Sequence, residues 1–475
     1  MQDLLLGPII GGLTSTGAYL WGRADTQGEL HAWLSSLPDL SDAFLASKSL
    51  PLVPENGFAG VAPLSGLSPN TRYHYALTLN DHPPSSDLAP FPEFTTFPPE
   101  GERASFSFAF GSCFRPQNEY GGEIFNAIER MRQQKNLRFI LMIGDQIYAD
   151  AYPYNGIGKI ACELQEFRDV YTYTWSRPPL KRLLSNLPAF MILDDHEVDD
   201  DWRWLNKERR WAHIPWWDQA QRWFQGRPPQ ERHIPLKRVQ DALQAYWEHQ
   251  GMHSPHYELP PAIDHAGQYA LPKGDPGSLA YTFTYGGAAF FVLDTRTMRV
   301  RNRRERSMLG AGQWNGLETW LMHVKDAYPV KFLVTSCALL FNMWLDIPRD
   351  RWSGFPRERD RLLHFLADNG IEGVYLLAGD LHSAHAVSAE LYGPQQRAIP
   401  LWEFCSTPFE QVPNTLARYT YRAPRSSAVK NQTLHFSLAA NNFGVVHVEY
   451  AGSERPWVHY EVYGQDGGFL AEAGE

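Results

Sequence analysis

Six short apolar runs, at 106–110, 138–143, 189–193, 289–293, 331–335 and 374–378, constrain the fold more than any other feature of the chain. Each is nearly continuous in apolar residues and too short for a buried helix, which is the texture of strands covered on both faces. Helical patterns fall between them. Ile124, Phe125, Ile128 and Met131 make one apolar face, and Pro356 to Asn369 opens on a proline and stops before Gly370. Strand, loop and helix in repetition predict an α/β core.

Four of these runs end at once in residues that bind metals or move protons. Phe106–Phe110 leads to Gly111-Ser112-Cys113, and the run ending at Ile143 leads to Gly144-Asp145-Gln146-Ile147-Tyr148. The run ending at Leu193 leads to Asp194-Asp195-His196-Glu197, and that ending at Ala378 to Gly379-Asp380-Leu381-His382. Strand tips of an α/β sheet converge on one crevice, so groups far apart in sequence meet there. Each motif alone has a duller reading: Gly-Asp as a turn, Asp-His as a cap, Cys113 as a small buried hydrophobe. Their joint placement after four buried strands is what points to a metal site.

The donor types divide. Asp145 and Asp380 are hard oxygen ligands, whereas Cys113, Tyr148 and His382 suit a more transition-like ion. Phenolate and thiolate want a strongly acidic metal, so Fe3+ is expected at the first position and Ca2+, Mn2+ or Zn2+ at the second. Tyr148, three residues after Asp145, returns to the same side through one tight turn. Neighbours in extended chain point apart, so Asp195 is taken as the ligand and Asp194 as an orienting group. His196 is then the candidate catalytic acid, Glu197 an anchor, and His385 a supporting or surface residue. Asp199, Asp200 and Asp201 read as a solvated helix start.

Residues 1–98 read as a separate β module of short alternating segments, such as Gly17–Trp21 and Tyr73–Leu77, with Pro98–Glu102 as a linker. Residues 104–475 then form the catalytic domain. Between about 150 and 280 a helical insertion is expected near the catalytic mouth; Trp202, Trp204, Trp211, Trp216, Trp217, Trp223 and Trp247 fill its core, with one or two left to line a substrate wall. Runs at 444–449 and 457–463 read as closing strands. The formal charge of −10 opposes a stable nucleic-acid complex, which depends on many cationic side chains. No apolar stretch is long enough to span a bilayer. The N-terminus shows no export pattern, and the four cysteines have no close spacing, so a cytoplasmic location is expected.

Together these motifs resemble the PhoD-like alkaline phosphatases and phosphodiesterases of the calcineurin-like metallophosphoesterase superfamily. The resemblance extends to Phe290–Arg296 and Leu309–Gln313 and spans about residues 106–409. It implies a β-sandwich core flanked by helices, with a small N-terminal fibronectin III-like domain. It implies that Cys113, Tyr148 and His382 hold the iron-like ion, that Asp145 bridges, and that Asp195 and Asp380 hold the second cation. Asp195 stands where the family commonly has asparagine. Arg296 is implied as a phosphate clamp, or as the partner of Asp294 in an ion pair. The implied activity is hydrolysis of phosphomonoesters or phosphodiesters by a metal-bound hydroxide, on a small phosphorylated substrate. The alternative is a noncatalytic binding protein that keeps the fold as a scaffold.

Overall fold

The computed structural model describes residues 4–474 apart from 81–82, 86–89, 118–120, 152–153, 207–208, 212–219, 221–222, 225, 227–233, 265–266, 270–277, 302–304, 345–349, 395–396 and 451–455. Two large sheets dominate. One has six strands in the order Ala189–Ile192, Leu137–Ile143, Phe106–Gly111, Asn442–Glu449, Trp457–Gly464 and Phe469–Gly474. The other has seven, in the order Tyr281–Tyr285, Ala288–Val292, Val330–Val334, Val374–Ala378, Ala398–Cys405, Ala384–Tyr392 and Val429–Leu438.

Within each sheet the strands connected through helices run parallel, as 106–111, 137–143 and 189–192 do in the first. Strands joined by short connections run antiparallel, as 442–449 and 457–464 do. This follows from connection length, since a parallel neighbour requires a crossover.

The sheets pack face to face through aromatic rings. Phe106, Phe108 and Phe110 alternate with Ser107 and Ala109, so their side chains share one face of the strand. Phe108 meets Phe332 edge-on at 5.3 Å, Phe190 stacks on Phe283 at 3.9 Å, and Phe404 stacks on Tyr460 at 4.8 Å. Burial of each such ring contributes roughly 1.5–3 kcal/mol. Helices cover the outer faces: Glu123–Gln134 buries Ile124, Phe125, Ala127, Ile128 and Met131, and Pro356–Asp368 ends before Gly370, whose φ is +62°. Both match the sequence patterning.

Residues 6–95 carry seven antiparallel strands in two smaller sheets, of three and four strands. This β-sheet region shares a continuous core with the large sheets. Phe97 packs against Phe139, Phe190 and Tyr285, and Tyr75 donates its hydroxyl hydrogen to the Ser185 carbonyl at 2.8 Å.

The interval 150–280 contains helices Leu164–Trp175, Pro178–Asn186 and Leu236–Tyr246. Of its tryptophans, Trp202 is buried, Trp247 is partly buried against the core, and Trp223 is 74% exposed. Trp204 and Trp211 lie on short strands, while Trp216 and Trp217 fall outside the described residues. Asp199–Asp201 open no helix: they form a tight turn that folds back under Asp195, with Asp201 itself buried.

Candidate metal centre

The four motif loops meet at one end of the sandwich, three from the six-stranded sheet and Gly379–His382 from the other. Backbone bonds lock them together: Cys113 N–H donates to Gly144 O at 3.1 Å and Phe114 N–H to Asp145 O at 2.9 Å. Two glycines allow the approach. A Cβ on Gly144 would lie 2.5 Å from Asp194 Cβ, and one on Gly379 would lie 2.6 Å from Ser112 Oγ.

Cys113, Asp145, Asp380 and His382 all have φ between +54° and +66°. Non-glycine residues enter this left-handed region rarely, and such backbones concentrate where function requires a particular side-chain direction. Here the loops spend conformational strain to turn four potential ligands toward one volume.

Asp145 stands at the middle. Its Oδ2 lies 3.3 Å from Cys113 Sγ and 3.4 Å from the Tyr148 hydroxyl, which in turn is 3.3 Å from His382 Nε2. Potential ligand atoms of Cys113, Asp145 and His382 all lie within 4.8 Å of one another, as do those of Asp194, Asp195 and Asp380. A third set, Asp145, Asp195 and His196, overlaps both. The third set takes Asp145 from one cluster and Asp195 from the other, so the two candidate ion positions adjoin.

The electrostatics favour cations. Burial first, and the nearby Asp145 and Asp380 carboxylates next, push the Cys113 thiol well above its ordinary range. Burial likewise raises Asp145, and it lifts Asp380 to about 7 with help from Asp194 and Asp195. Buried Asp195 Oδ1 has no hydrogen-bond partner among the described residues. Crowded buried acids and an orphaned carboxylate oxygen fit a multivalent cation, whose charge reverses this local field.

Supporting groups aim the ligands. Ser112 Oγ and Thr407 Oγ1 stand 3.1 and 3.2 Å from Cys113 Sγ. His382 Nδ1 donates to Val412 O at 3.0 Å, which leaves Nε2 as the ligating nitrogen. Burial lowers the His382 pKa to about 4, so the ring is neutral and its lone pair available. The Glu197 carboxylate accepts N–H bonds from Asp145, Gln146 and Asp194 at 3.2, 2.8 and 3.0 Å, bracing two ligand loops at once.

Asp194 and Asp195 both face the centre, because the chain turns after Leu193 and does not continue extended. Asp194 pairs with Arg296 Nε at 2.5 Å and accepts from Ser336 Oγ at 2.7 Å. Arg296 is fully buried; it also meets Asp350 at 2.7 Å and Asp195 at 3.4 Å. Its guanidinium is thus committed to carboxylates. Asp294 instead accepts the Arg296 and Thr297 backbone N–H groups, both at 2.9 Å. Burial opposes ionisation of Asp195, but Arg296 and then His196 outweigh it and hold the carboxylate below its usual range.

His196 stacks on Tyr148 at 4.1 Å, and Asp150 holds its Nδ1 at 2.8 Å. Burial acts to discharge the ring, yet Asp150, Asp195 and Asp145 together raise its pKa well above the ordinary value. His385 is completely buried, paired with Glu403 at 3.0 Å and stacked on Phe341, and so is no surface residue. Sequence patterning passed over Asp150, Asp350 and Arg351. The last pairs with Asp380 at 2.8 Å; it and Asp350 follow no strand motif, and Asp150, two residues past Tyr148, lies just beyond one.

Comparison places this architecture. A solved structure of PhoD superposes with a TM-score of 0.70 at 19% identity, covering 99% of this chain and 92% of that one. Purple acid phosphatase PPD1 from yellow lupin (Lupinus luteus) seeds gives 0.59 at 12% identity, covering 98% and 73%. The two-sheet sandwich with its helical flanks is therefore a metallophosphatase fold. The chain belongs to the PhoD-like phosphatase family, whose sequence model matches residues 108–456. Alkaline phosphatase D of Bacillus subtilis (strain 168) is 26% identical over 354 residues, which are 68% of this chain and 52% of that protein. The chain thus spans about half the length of that curated relative.

Proposed function

We propose that the chain hydrolyses phosphomonoesters or phosphodiesters at a dinuclear metal centre. The observation that carries this reading is the convergence of Cys113, Asp145, Tyr148 and His382 beside Asp195 and Asp380 at one end of the sandwich. Cys113, Tyr148 and His382 would hold the first ion, Asp145 would bridge, and Asp195 and Asp380 would hold the second. Thiolate and phenolate donors favour Fe3+ at the first position; the all-oxygen donors suit Ca2+, Mn2+ or Zn2+ at the second. When bound, the cations supply Lewis acidity and make water nucleophilic at neutral pH.

The chain's own residues supply orientation and protons. With Nδ1 held by Asp150, the His196 ring is fixed in orientation, and Nε2 is the position from which a proton would pass to the departing ester oxygen. Arg351, which is partly exposed and already paired with Asp380, is a candidate to receive a phosphoryl oxygen. Arg296, implied as a phosphate clamp by resemblance, would act from behind by holding Asp194 and Asp195 in place.

Metal analysis of the purified chain, with a visible absorption spectrum, tests the assignment. Ferric iron bound to thiolate or phenolate gives a charge-transfer band; full occupancy without iron would sink the iron assignment. Metal-loaded protein should turn over bis-p-nitrophenyl phosphate or p-nitrophenyl phosphate. Hydrolysis of neither across a wide pH range favours the noncatalytic scaffold instead.

A further inference from the structure

Glu197 braces two ligand loops, and its fourth hydrogen bond comes from outside them. Gln250 Nε2 donates to Glu197 Oε1 at 3.2 Å and to the Tyr171 hydroxyl at 2.9 Å. Gln250 stands on a π turn, Trp247–Gly251, that continues the helix Leu236–Tyr246. Such turns are rare and often mark functional sites.

This turn buries three successive polar side chains, Glu248, His249 and Gln250, all with no exposure. Burying polar groups is costly unless each finds a partner, and each does, on a different element. Glu248 receives two bonds from Arg168, at 2.6 and 2.7 Å. His249 Nε2 accepts from Arg23 at 3.2 Å. The N-terminal strand Gly17–Arg23 grips the same turn again, where Trp21 Nε1 donates to the Glu248 carbonyl at 2.8 Å. One side of the turn thus holds the N-terminal β-sheet region and the other holds Glu197.

Packing alone does not account for Gln250. Glu197 already accepts three backbone N–H groups, so an apolar neighbour in place of Gln250 would still leave it hydrogen-bonded. Gln250 Oε1, meanwhile, is buried without a hydrogen-bond partner among the described residues, a cost an apolar side chain would avoid. What the amide uniquely supplies is a directed link from the turn to the carboxylate behind Asp145, Gln146 and Asp194.

We propose that Gln250 is a positioning residue for the metal centre, and that the π turn carries to it the seating of the N-terminal β-sheet region through Trp21 and Arg23. Its consequence for turnover rests on the phosphatase reading; the mechanical link does not.

The test is amide hydrogen exchange on the metal-free full chain, comparing wild type, Gln250→Met, Trp21→Phe and the double variant. Gln250→Met keeps the side-chain length and removes the donor, while Trp21→Phe removes one N–H and keeps an aromatic ring. The expected result is exchange about tenfold faster in peptides covering 144–149 and 193–198 of Gln250→Met, with an unchanged far-ultraviolet spectrum. Trp21→Phe should speed the same peptides less, and should add nothing in the Gln250→Met background. Ion retention by Gln250→Met should fall about tenfold, as for other groups that orient ligands. Unchanged exchange at 144–149 in Gln250→Met, or additive effects in the double variant, overturns the proposal. If Gln250→Met does not fold, Trp21→Phe alone decides, and unaltered exchange there overturns it too. Faster exchange in a chain that cleaves no phosphoester would sink the functional reading and leave the link standing; unchanged exchange in an active enzyme would do the opposite.

Discussion

Asp145 touches more of the centre than any other side chain: Oδ2 faces Cys113 and Tyr148, and Oδ1 accepts the His196 N–H at 3.2 Å. Asp145→Asn keeps the shape and removes the charge in the middle of the candidate site, so ion content should collapse and kcat fall about 10²- to 10³-fold. His196→Ala removes a proton donor and leaves the ligand set, so ions should stay bound while kcat drops about 10²- to 10⁴-fold. The reverse pattern in metal analysis and kinetics would exchange their roles. Arg296 pairs with Asp194, Asp195 and Asp350 in the interior. Arg296→Met leaves Asp194 and Asp195 without their cationic partner, while Asp350 keeps Arg299 at 2.6 Å, and should cost roughly 3–5 kcal/mol in urea unfolding. A raised KM with unaltered stability would instead make it a substrate clamp. Asp145, Tyr148, Asp380 and His382 were legible because each follows a buried strand within a few residues. Asp150 and Asp350 were not, because nothing local marks a carboxylate whose partner lies 46 or more positions away.

At the scale of elements, loops succeed here by coming closer than side chains ordinarily permit. Gly144 has φ +105°, and its missing Cβ would collide with Asp194. Gly144→Ala should therefore lower stability by more than about 2 kcal/mol and separate the second and third ligand loops, seen as lost ion binding alongside a lower unfolding midpoint. A variant with native stability and ion content would show that the loops can give way. The helix and π turn over 236–251 offer a pH signature. His253 is buried against Trp21, its Nε2 donates to the His249 carbonyl at 2.8 Å, and burial lowers its pKa to about 4. Its folded form is neutral, so the stability it contributes is present above the ordinary value near 6.5 and is lost as pH falls toward 4. That loss is on the order of 3 kcal/mol. His253→Gln should flatten this part of the stability profile; an unchanged slope between pH 6.5 and 4 would assign the loss elsewhere. The strands 106–111, 137–143, 189–192, 288–292, 330–334 and 374–378 were all visible as apolar runs. Ala384–Tyr392 and Val429–Leu438 were not, since the second half of the first alternates buried with partly exposed positions, the second is mostly partly exposed or exposed, and they carry His385, Glu390, His435 and other polar residues.

At the scale of the whole molecule, the N-terminal region is bonded into the two-sheet core and not merely tethered to it. Phe97, Tyr75, Trp21 and Arg23 each make buried contacts across the division expected near Pro98–Glu102. A chain of residues 99–475 should therefore expose the faces of Phe139, Phe190 and Tyr285 and behave as an aggregating or loosely packed species. Dye binding and near-ultraviolet circular dichroism would report it, and a soluble fragment that unfolds cooperatively would contradict the expectation. Among the described residues no helix is long and apolar enough to cross a membrane.

What the sequence determined by itself was the order of the buried core strands and most members of the candidate site, because strand burial leaves an unbroken apolar run and a polar tip sits directly at its end. The tertiary structure decided that three tips lie on one sheet and the fourth on another. It also decided that Asp194 faces the centre beside Asp195, that Arg296 is spent on carboxylates, and that Glu197 reaches the N-terminal region through Gln250. Each of these depends on groups distant in the chain being brought together in the interior. There, removal from water makes a charge or an unpaired polar atom seek a partner wherever packing has placed one.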